Sequence, residues 1–536
     1  MKLKGNLVDV STEGIYPAEV TFEKKITSVH RINEEQSWYI LPGFIDSHIH
    51  IESSMLCPSR FAEAVIPHGT TLTISDPHEI GNVLGIKGIN YMIEDTCFLK
   101  VYYTAPSCVP ATTFETSGAK ITAQDIDNLF KEYDLVGLGE VMNFPGVISE
   151  DREVIEKIEV AKKYGKQIDG HAPGLSGADL QKYIGKGIST DHECTSLEEA
   201  QEKLELGMKI MIREGTASKN LKDLLGLDYD ECFLVSDDLH PEDIKKGHVD
   251  ALLRKAVSHG IDPVKAVKMV TINPSNHYRL NSGRIDSGRA ADIVLVDSLE
   301  EFNVKRVFID GKLLAVNGRP LFTVNPVQIQ SSFDVTPKSP SDFYVRAPNS
   351  QDQVRVRVIT IVEGQLYTRA DEAVLPSING AVVPDTHSDI LKLAVVERYG
   401  HSRVGVAFVK GFELKEGALA SSVAHDSHNI IAVGVSDECI KDAVNTIIHM
   451  KGGIAACGKE RIALNLPVAG LMSYEPLDCV AEHHKKMQEY ARELGCRLKD
   501  PFMQLSFLAL LVIPELKLSD KGLFDSREFT FADVVL

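Results

Sequence analysis

From residue 41 to about 280, short apolar runs alternate with longer stretches in which apolar residues recur every three to four positions. The runs are LPGFIDSHIH (41–50), TLTISDPHE (71–79), LKVYYTAPS (99–107), LVGLGEV (135–141), QIDGHA (167–172), GISTDHE (187–193), KIMIREG (209–215) and CFLVSDD (232–238). Rich in β-branched and aromatic residues, they predict short buried strands. The stretches between them, at Pro58–Ile66, Gly85–Phe98, Ala123–Tyr133, Asp151–Tyr164, Gly177–Lys186 and Ser196–Leu206, predict amphipathic helices. Strands alternating with helices form parallel sheets with crossover helices. Eight such units in about 240 residues fit a (β/α)8 TIM-like barrel. An open doubly wound sheet is the alternative, but no Gly-x-Gly-x-x-Gly follows the first run.

The flanks differ in texture. Residues 1–40 (NLVDV, AEVTFEKKITSVHR) and 283–325 (GRIDSGRAADIVLVD, VKRVFIDGKLLAVNGR) both alternate in the period of exposed strands. Neither can form a domain alone, so we expect them to pair as one small β domain split by a barrel at 41–282. A Ser/Pro-rich stretch at 326–350 reads as a connection. A C-terminal α+β domain is expected over 345–536. Its strand-like runs include VRVRVITIV, LKLAVVERYG, RVGVAFVKGF and HNIIAVGVS, and a helix is expected at Asp437–Met450.

Polar residues collect where the first eight runs end: His48, His50, Asp76, His78, Glu140, His171, His192, Arg213, Asp237 and Asp238. The C-terminal ends of barrel strands form the catalytic face. His48 and His50 lie two apart, so on a strand they point to one side. A lone buried histidine is most often a hydrogen-bonded core residue, and a lone strand-end glutamate is most often paired with a cation. Six such groups on one face call for another explanation. His48, His50, Glu140, His171, His192 and Asp237 form a nitrogen and oxygen ligand set without thiolate, suited to two divalent ions of the Mn2+, Fe2+ or Zn2+ kind. Glu140 stands between the two halves of the set and could bridge them. Paired metals lower the pKa of shared water, which points to hydrolytic attack at carbon bonded to nitrogen or oxygen. Asp237 follows the apolar run directly and is read as both ligand and proton carrier, with Asp238 a substrate-contact candidate.

Composition narrows the function further. The formal charge of −19 argues against a nucleic-acid binder, which would normally show a basic face. The nine cysteines are scattered, with no Cys-x-x-Cys, which points to a reducing, cytoplasmic setting. The Pro-Cys-x-x-Cys half of a cytidine-deaminase zinc site is absent. No apolar run has the length of a signal peptide core or a membrane span, so no membrane partner is expected.

The assembly resembles the amidohydrolase superfamily and, more closely, bacterial adenine deaminases. The resemblance is carried by PGFIDSHIHIESSM (42–55), PHGTTLTISDPHEIGNVLG (67–85), PSCVPATTFETSGA (106–119), GLGEVMNFPGV (137–147), DGHAPGLSG (169–177), STDHE (189–193), VSDD (235–238) and ASSVAHDSHNIIAVG (420–434). It spans nearly the whole chain. Hydantoinases and dihydroorotases usually carry a modified lysine where Glu140 stands, which counts against them. The resemblance implies hydrolysis of adenine to hypoxanthine and ammonia in purine salvage, on two divalent ions, Mn2+ or Fe2+ with Zn2+ a further candidate. It also implies a homodimer or higher homo-oligomer. A metal-bridging hydroxide would attack C6, with Asp237 moving the proton and Glu140 holding the bridge. His78 could assist the departing amine, and Arg213 could contact the purine. His425, in the motif His425-Asp426-Ser427-His428-Asn429, is a further substrate-contact candidate, against the reading of that motif as a strand-end turn. The alternatives are another amidohydrolase-type deaminase or cyclic amidase, and more remotely a non-catalytic scaffold barrel.

Overall fold

The 41–50 run is not one strand but two, joined at Gly43. In the computed structural model, which describes residues 1–330, 333–348 and 351–536, Tyr39–Pro42 belongs to one sheet and Phe44–Ile49 to another. Gly43 is required at the joint. A Cβ there would lie 2.1 Å from Thr71 Oγ1, so only glycine lets the backbone pass so close to the next strand.

Phe44–Ile49 opens a series of parallel strands, here β1. It is followed by β2 (Thr70–Ser75), β3 (Lys100–Ala105), β4 (Gly137–Val141), β5 (Gln167–Gly170), β6 (Thr190–Asp191), β7 (Lys209–Arg213) and β8 (Cys232–Val235). The first five form one parallel sheet in sequence order and the last three another. A parallel bridge between Ile49 and Asp237 links the end of β1 to the end of β8, so the strands curl in a TIM-like arrangement. Ile45, Leu72, Ile74, Met211, Phe233 and Val235 pack into one apolar cluster, as expected of parallel strands covered on both faces.

The sixth strand is the shortest. Only Thr190 and Asp191 of the predicted 187–193 run pair in the ladder. Asp191 instead spends its carboxylate on the Ala172 N–H (2.8 Å) and the buried Lys203 ammonium (3.0 Å). Those bonds hold the chain where further ladder bonds would otherwise lie.

The helices begin where their caps dictate. Thr122 and Asp125 form a reciprocal capping box before Ala123–Glu132, and Asp151 and Ser196 cap Arg152–Lys163 and Leu197–Glu205. An eight-stranded sheet joins Lys2–Asp9, Gly14–Phe22, Ile26–Arg31 and Tyr39–Pro42 to four strands between Ile293 and Pro320. Its core holds Leu7, Val20, Phe22, Ile40, Ile293 and Phe308.

The chain divides into two compact units. The first comprises Met1–Pro77, Asn90–Ser107 and Thr122–Val327, and the second comprises His78–Ile89, Cys108–Ile121 and Gln328–Leu536. The second is built on a mostly antiparallel ten-stranded sheet, with the helix Asp437–Met450 packed on it through Ile440, Ala443, Val444 and Ile447. Within the 326–350 stretch read as a connection, residues 331–332 and 349–350 lie outside the described residues.

Candidate metal centre

Six side chains converge at the C-terminal ends of the parallel strands in the first unit. His48 closes in from β1 and His50 stands just beyond it. Glu140 lies on β4, while His171, His192 and Asp237 follow β5, β6 and β8. All six are buried. His50 Nε2 lies 3.2 Å from Glu140 Oε1 and 3.4 Å from Asp237 Oδ1, and His48 Nε2 lies 3.5 Å from the same Asp237 oxygen. Glu140 Oε2 lies 2.8 Å from His171 Nδ1 and 3.3 Å from His192 Nε2. Each Glu140 oxygen thus faces a different half of the set.

Protons decide whether such a cluster can hold metal. A carbonyl oxygen can only accept, so the 3.2 Å contact of His50 Nδ1 with Asp76 O makes Nδ1 the donor. In the neutral ring that leaves a lone pair on Nε2, pointing into the cluster, which is the arrangement metal-binding histidines need. Asp76 in turn accepts the Glu140 N–H at 3.0 Å, which ties β2 to β4. His48 Nε2 is buried and has no hydrogen-bond partner among the described residues. His171 Nδ1 and His192 Nε2 stand 3.2 Å apart beside one carboxylate oxygen. Ligand atoms of His48, Glu140 and His192, and of His48, His50 and Asp237, lie within 4.8 Å of one another, so divalent metal fits the donor set.

Without a cation the carboxylates draw protons onto the facing imidazoles: burial opposes the His50 charge, but Asp237 and Glu140 raise that ring well above its usual range, so metal would bind by displacing protons. Burial opposes every charge here, but His171, His192 and His50 together hold the Glu140 carboxyl well below its usual range. Burial also opposes the Asp237 charge, yet the Arg213 guanidinium and the two β1 histidines keep that carboxyl ionised. His192 is pushed up to about 10, with Glu140 and Glu193 outweighing its burial.

Glu193 was not legible as a site residue. It grips Arg213 with both oxygens, at 2.5 Å to Nη1 and 2.8 Å to Nη2. The same Nη1 donates to Asp237 Oδ2 at 2.6 Å. Asp237 is therefore divided, with Oδ1 facing the histidines and Oδ2 anchored by arginine. Its neighbour Asp238 accepts from Ser53 Oγ at 2.5 Å.

The Amidohydrolase family model matches residues 39–314, and the Adenine deaminase C-terminal domain model matches 365–530. An adenine deaminase of Methanosphaera stadtmanae is 49% identical over 100% of this chain and 99% of its own. The chain belongs to the adenine deaminase family. A second relative of that name, from Methanothermobacter thermautotrophicus, is 50% identical over 99% of both chains, and one from Salinibacter ruber is 46% identical over 99% of this chain and 98% of its own.

A second histidine cluster lies wholly in the second unit, with His425, Asp426 and His428 from the adenine deaminase C-terminal match and His78 and Glu79 from outside it. His425 Nδ1 approaches Glu79 Oε1 at 2.5 Å, and His428 Nε2 meets the other Glu79 oxygen. His78 Nε2 lies 3.5 Å from Glu79 Oε1 and 3.9 Å from Asp426 Oδ2. Of the residues singled out from sequence, then, His78 and His425 stand with Glu79 and Asp426, while Arg213 and Asp238 stand with the six-ligand centre. Glu79 escaped the sequence reading, although the SDPHE run and the His425-x-x-His428 spacing were both visible. Here the proton sits the other way round. His428 Nδ1 accepts the Ala424 N–H at 3.1 Å, so Nε2 carries the hydrogen and donates it to Glu79. Burial pushes His428 down to about 4 and keeps it neutral. The Glu79 carboxyl, despite its burial, is held well below its usual range by His425, His428 and His78. The His425 ring stacks on Phe507 at 4.3 Å between centroids.

Proposed function

We propose that this protein hydrolyses adenine to hypoxanthine and ammonia. The observation that carries the reading is full-length identity near 50% to proteins named adenine deaminase, with a metal-competent centre present in the chain. Two divalent ions, Mn2+ or Fe2+, with Zn2+ a further candidate, are the natural occupants of a set with four imidazoles, two carboxylates and no thiolate. When bound, divalent metal supplies Lewis acidity and a nucleophilic water at neutral pH.

The remaining work falls to side chains. Glu140 presents one oxygen to each half of the centre. Asp237 Oδ1 takes the proton released as water adds to C6 and delivers it toward the purine ring or the departing amine, a general acid–base role for a carboxylate within reach of the reacting atoms. Arg213 keeps Asp237 ionised, and Glu193 keeps Arg213 in place. Both arms of the Arg213 fork are thereby engaged, which favours orientation of Asp237 over contact with the base. Asp238, His78 and His425 remain the proposed contacts to substrate and leaving group. A complete eight-stranded barrel is supported by the parallel order of β1 to β8 and the bridge from Ile49 to Asp237. A cytoplasmic setting is supported by nine cysteines that all stand free of disulfides, and a homo-oligomer is the expectation to check by light scattering. No helix among the described residues is long and apolar enough to cross a membrane.

The test is ammonia release from adenine by the purified protein, with Mn2+ added and with chelator added, alongside other purines, pyrimidines and cyclic amides. Activity on adenine that survives complete metal removal overturns the metal-dependent reading. Activity only on a cyclic amide overturns the substrate.

A further inference from the structure

The small eight-stranded sheet of the first unit carries a groove of about 480 Å³ along one end. Its lining comes from the start of Lys2–Asp9, the residue before Tyr39–Pro42, the end of Ile293–Val296, the start of Val304–Ile309 and the turn that follows Lys312–Val316. Pairing registers bring these ends together, since Tyr39 lies opposite both Asn6 and Val296, and Val296 opposite Val304. The volume falls within the range of sites that hold small organic ligands.

Two features set this groove apart from the rest of the surface. The chain carries a formal charge of −19, yet Lys2, Lys4, Lys305 and Arg306 all line the groove and none of the lining residues is acidic. Its rim holds Trp38, the only tryptophan in the chain, 41% exposed. The Trp38 backbone is anchored, because its carbonyl accepts the Asn6 N–H at 2.7 Å, so the indole is displayed from a fixed point. Lys2, Lys4 and Lys305 reach Glu19, Glu34 and Asp297, at 2.7, 2.9 and 2.9 Å. The Lys2 and Lys4 pairs are exposed and weak, while Lys305 and Asp297 are half-buried, so Lys305 reaches a ligand only by leaving that partner. Arg306 is exposed and makes no ion pair among the described residues. Its planar fork suits a phosphate, and an exposed indole suits a flat ring.

We propose that this groove binds a ligand joining an anionic group to a planar ring, the chemistry of a nucleoside monophosphate. Arg306 and Lys305 hold the phosphate, and Trp38 stacks on the base.

The single tryptophan makes the test direct, because its fluorescence reports on this groove alone. Titration of the full-length metal-loaded protein with AMP is expected to quench Trp38 saturably. Adenosine and inorganic phosphate at the same concentrations are expected to give a small fraction of that change. In R306E the apparent affinity for AMP is expected to fall at least tenfold, while ammonia release from adenine without nucleotide stays at the wild-type rate. If R306E folds poorly, K305Q/R306Q is read in its place by the same titration, and calorimetry on W38F, which removes the stacking face, is expected to show AMP bound at least several-fold more weakly. Three results overturn the proposal: no saturable response to AMP, equal responses to AMP and inorganic phosphate, or an AMP affinity indifferent to both charge variants. A single-stranded oligonucleotide that binds far more tightly than AMP also overturns it, in favour of a nucleic-acid surface.

Discussion

The protein contains two buried clusters of histidine and carboxylate, and they are built with opposite proton polarity. At the centre around Glu140, His50 donates its outer Nδ1–H to a backbone carbonyl, so Nε2 can give up its proton and turn a lone pair inward when a cation binds. At Glu79, His428 accepts a backbone N–H on Nδ1, so a hydrogen faces inward. The first arrangement offers electron pairs to a cation. The second offers hydrogens to an anion, and Glu79 is that anion. Were His428 Nε2 to bind metal while Nδ1 still accepted from Ala424, the ring would have to lose both its protons. Residue type and proximity alone therefore do not mark a metal site, and three ligand-type atoms within 4.8 Å at Glu79, His425 and His428 are not sufficient. What separates the clusters is the partner on the far side of each ring.

The sharpest way to break this comparison is at Asp237. Asp237→Asn keeps the shape of the side chain but removes its capacity to accept a proton. Turnover is expected to fall by about three orders of magnitude or more, measured as ammonia release at saturating adenine, and a near-normal kcat would move the proton transfer elsewhere. Arg213→Gln should cost less, on the order of 10- to 100-fold in kcat with KM little changed, because it misplaces a catalytic group without removing it. A rise in KM with kcat intact would instead return Arg213 to the substrate.

The second cluster predicts a different phenotype. Glu79→Gln leaves buried imidazole donors facing an amide in place of an anion, and should lower unfolding stability by about 3 kcal/mol, read by denaturant titration. Metal per chain should be unchanged. Loss of one equivalent of metal in this variant would erase the distinction between the clusters. A comparable effect appears only under acid. His428 titrates near 4 in the folded protein against an ordinary value of 6.5, so between those values the unfolded chain binds more protons. Stability contributed by neutral His428 is present above pH 6.5 and is lost as pH falls toward 4, on the order of 3 kcal/mol. His428→Gln should flatten that limb of the stability profile. An unchanged slope would mean that His428 does not enter the fold neutral.

Much of this was legible in the sequence because strand periodicity and strand-end chemistry reinforce each other. The apolar runs located β1 to β8, and the residues closing them supplied all six side chains of the Glu140 cluster. The helices at 123–132 and 437–450 were visible from their apolar spacing, the second also from its acidic first turn, whereas their caps Thr122 and Ser436 emerged only in the structure. What was hidden depends on partners distant in sequence. Glu193 beside His192 reads as one more acid until Arg213 is seen in its grip. Glu79 acquires meaning only from residues nearly 350 positions away. The partner of Asp191 at the end of β6 is Lys203, which no local pattern connects to it.

Gly43 has a consequence for how this chain can vary. Tyr39–Pro42 is fixed by register to the small sheet, and Phe44–Ile49 is fixed to β2. One residue therefore separates two independently indexed rulers, and His48 and His50 are marks on the second. Losing a residue from Phe44–Ile49 would draw the histidine pair back by about 3.3 Å and reverse the face it presents. Metal coordination tolerates displacements of only about 0.2 Å. The interval from Tyr39 to His50 is thus a fixed length of chain, open to substitution at many positions and closed to insertion or deletion at all of them.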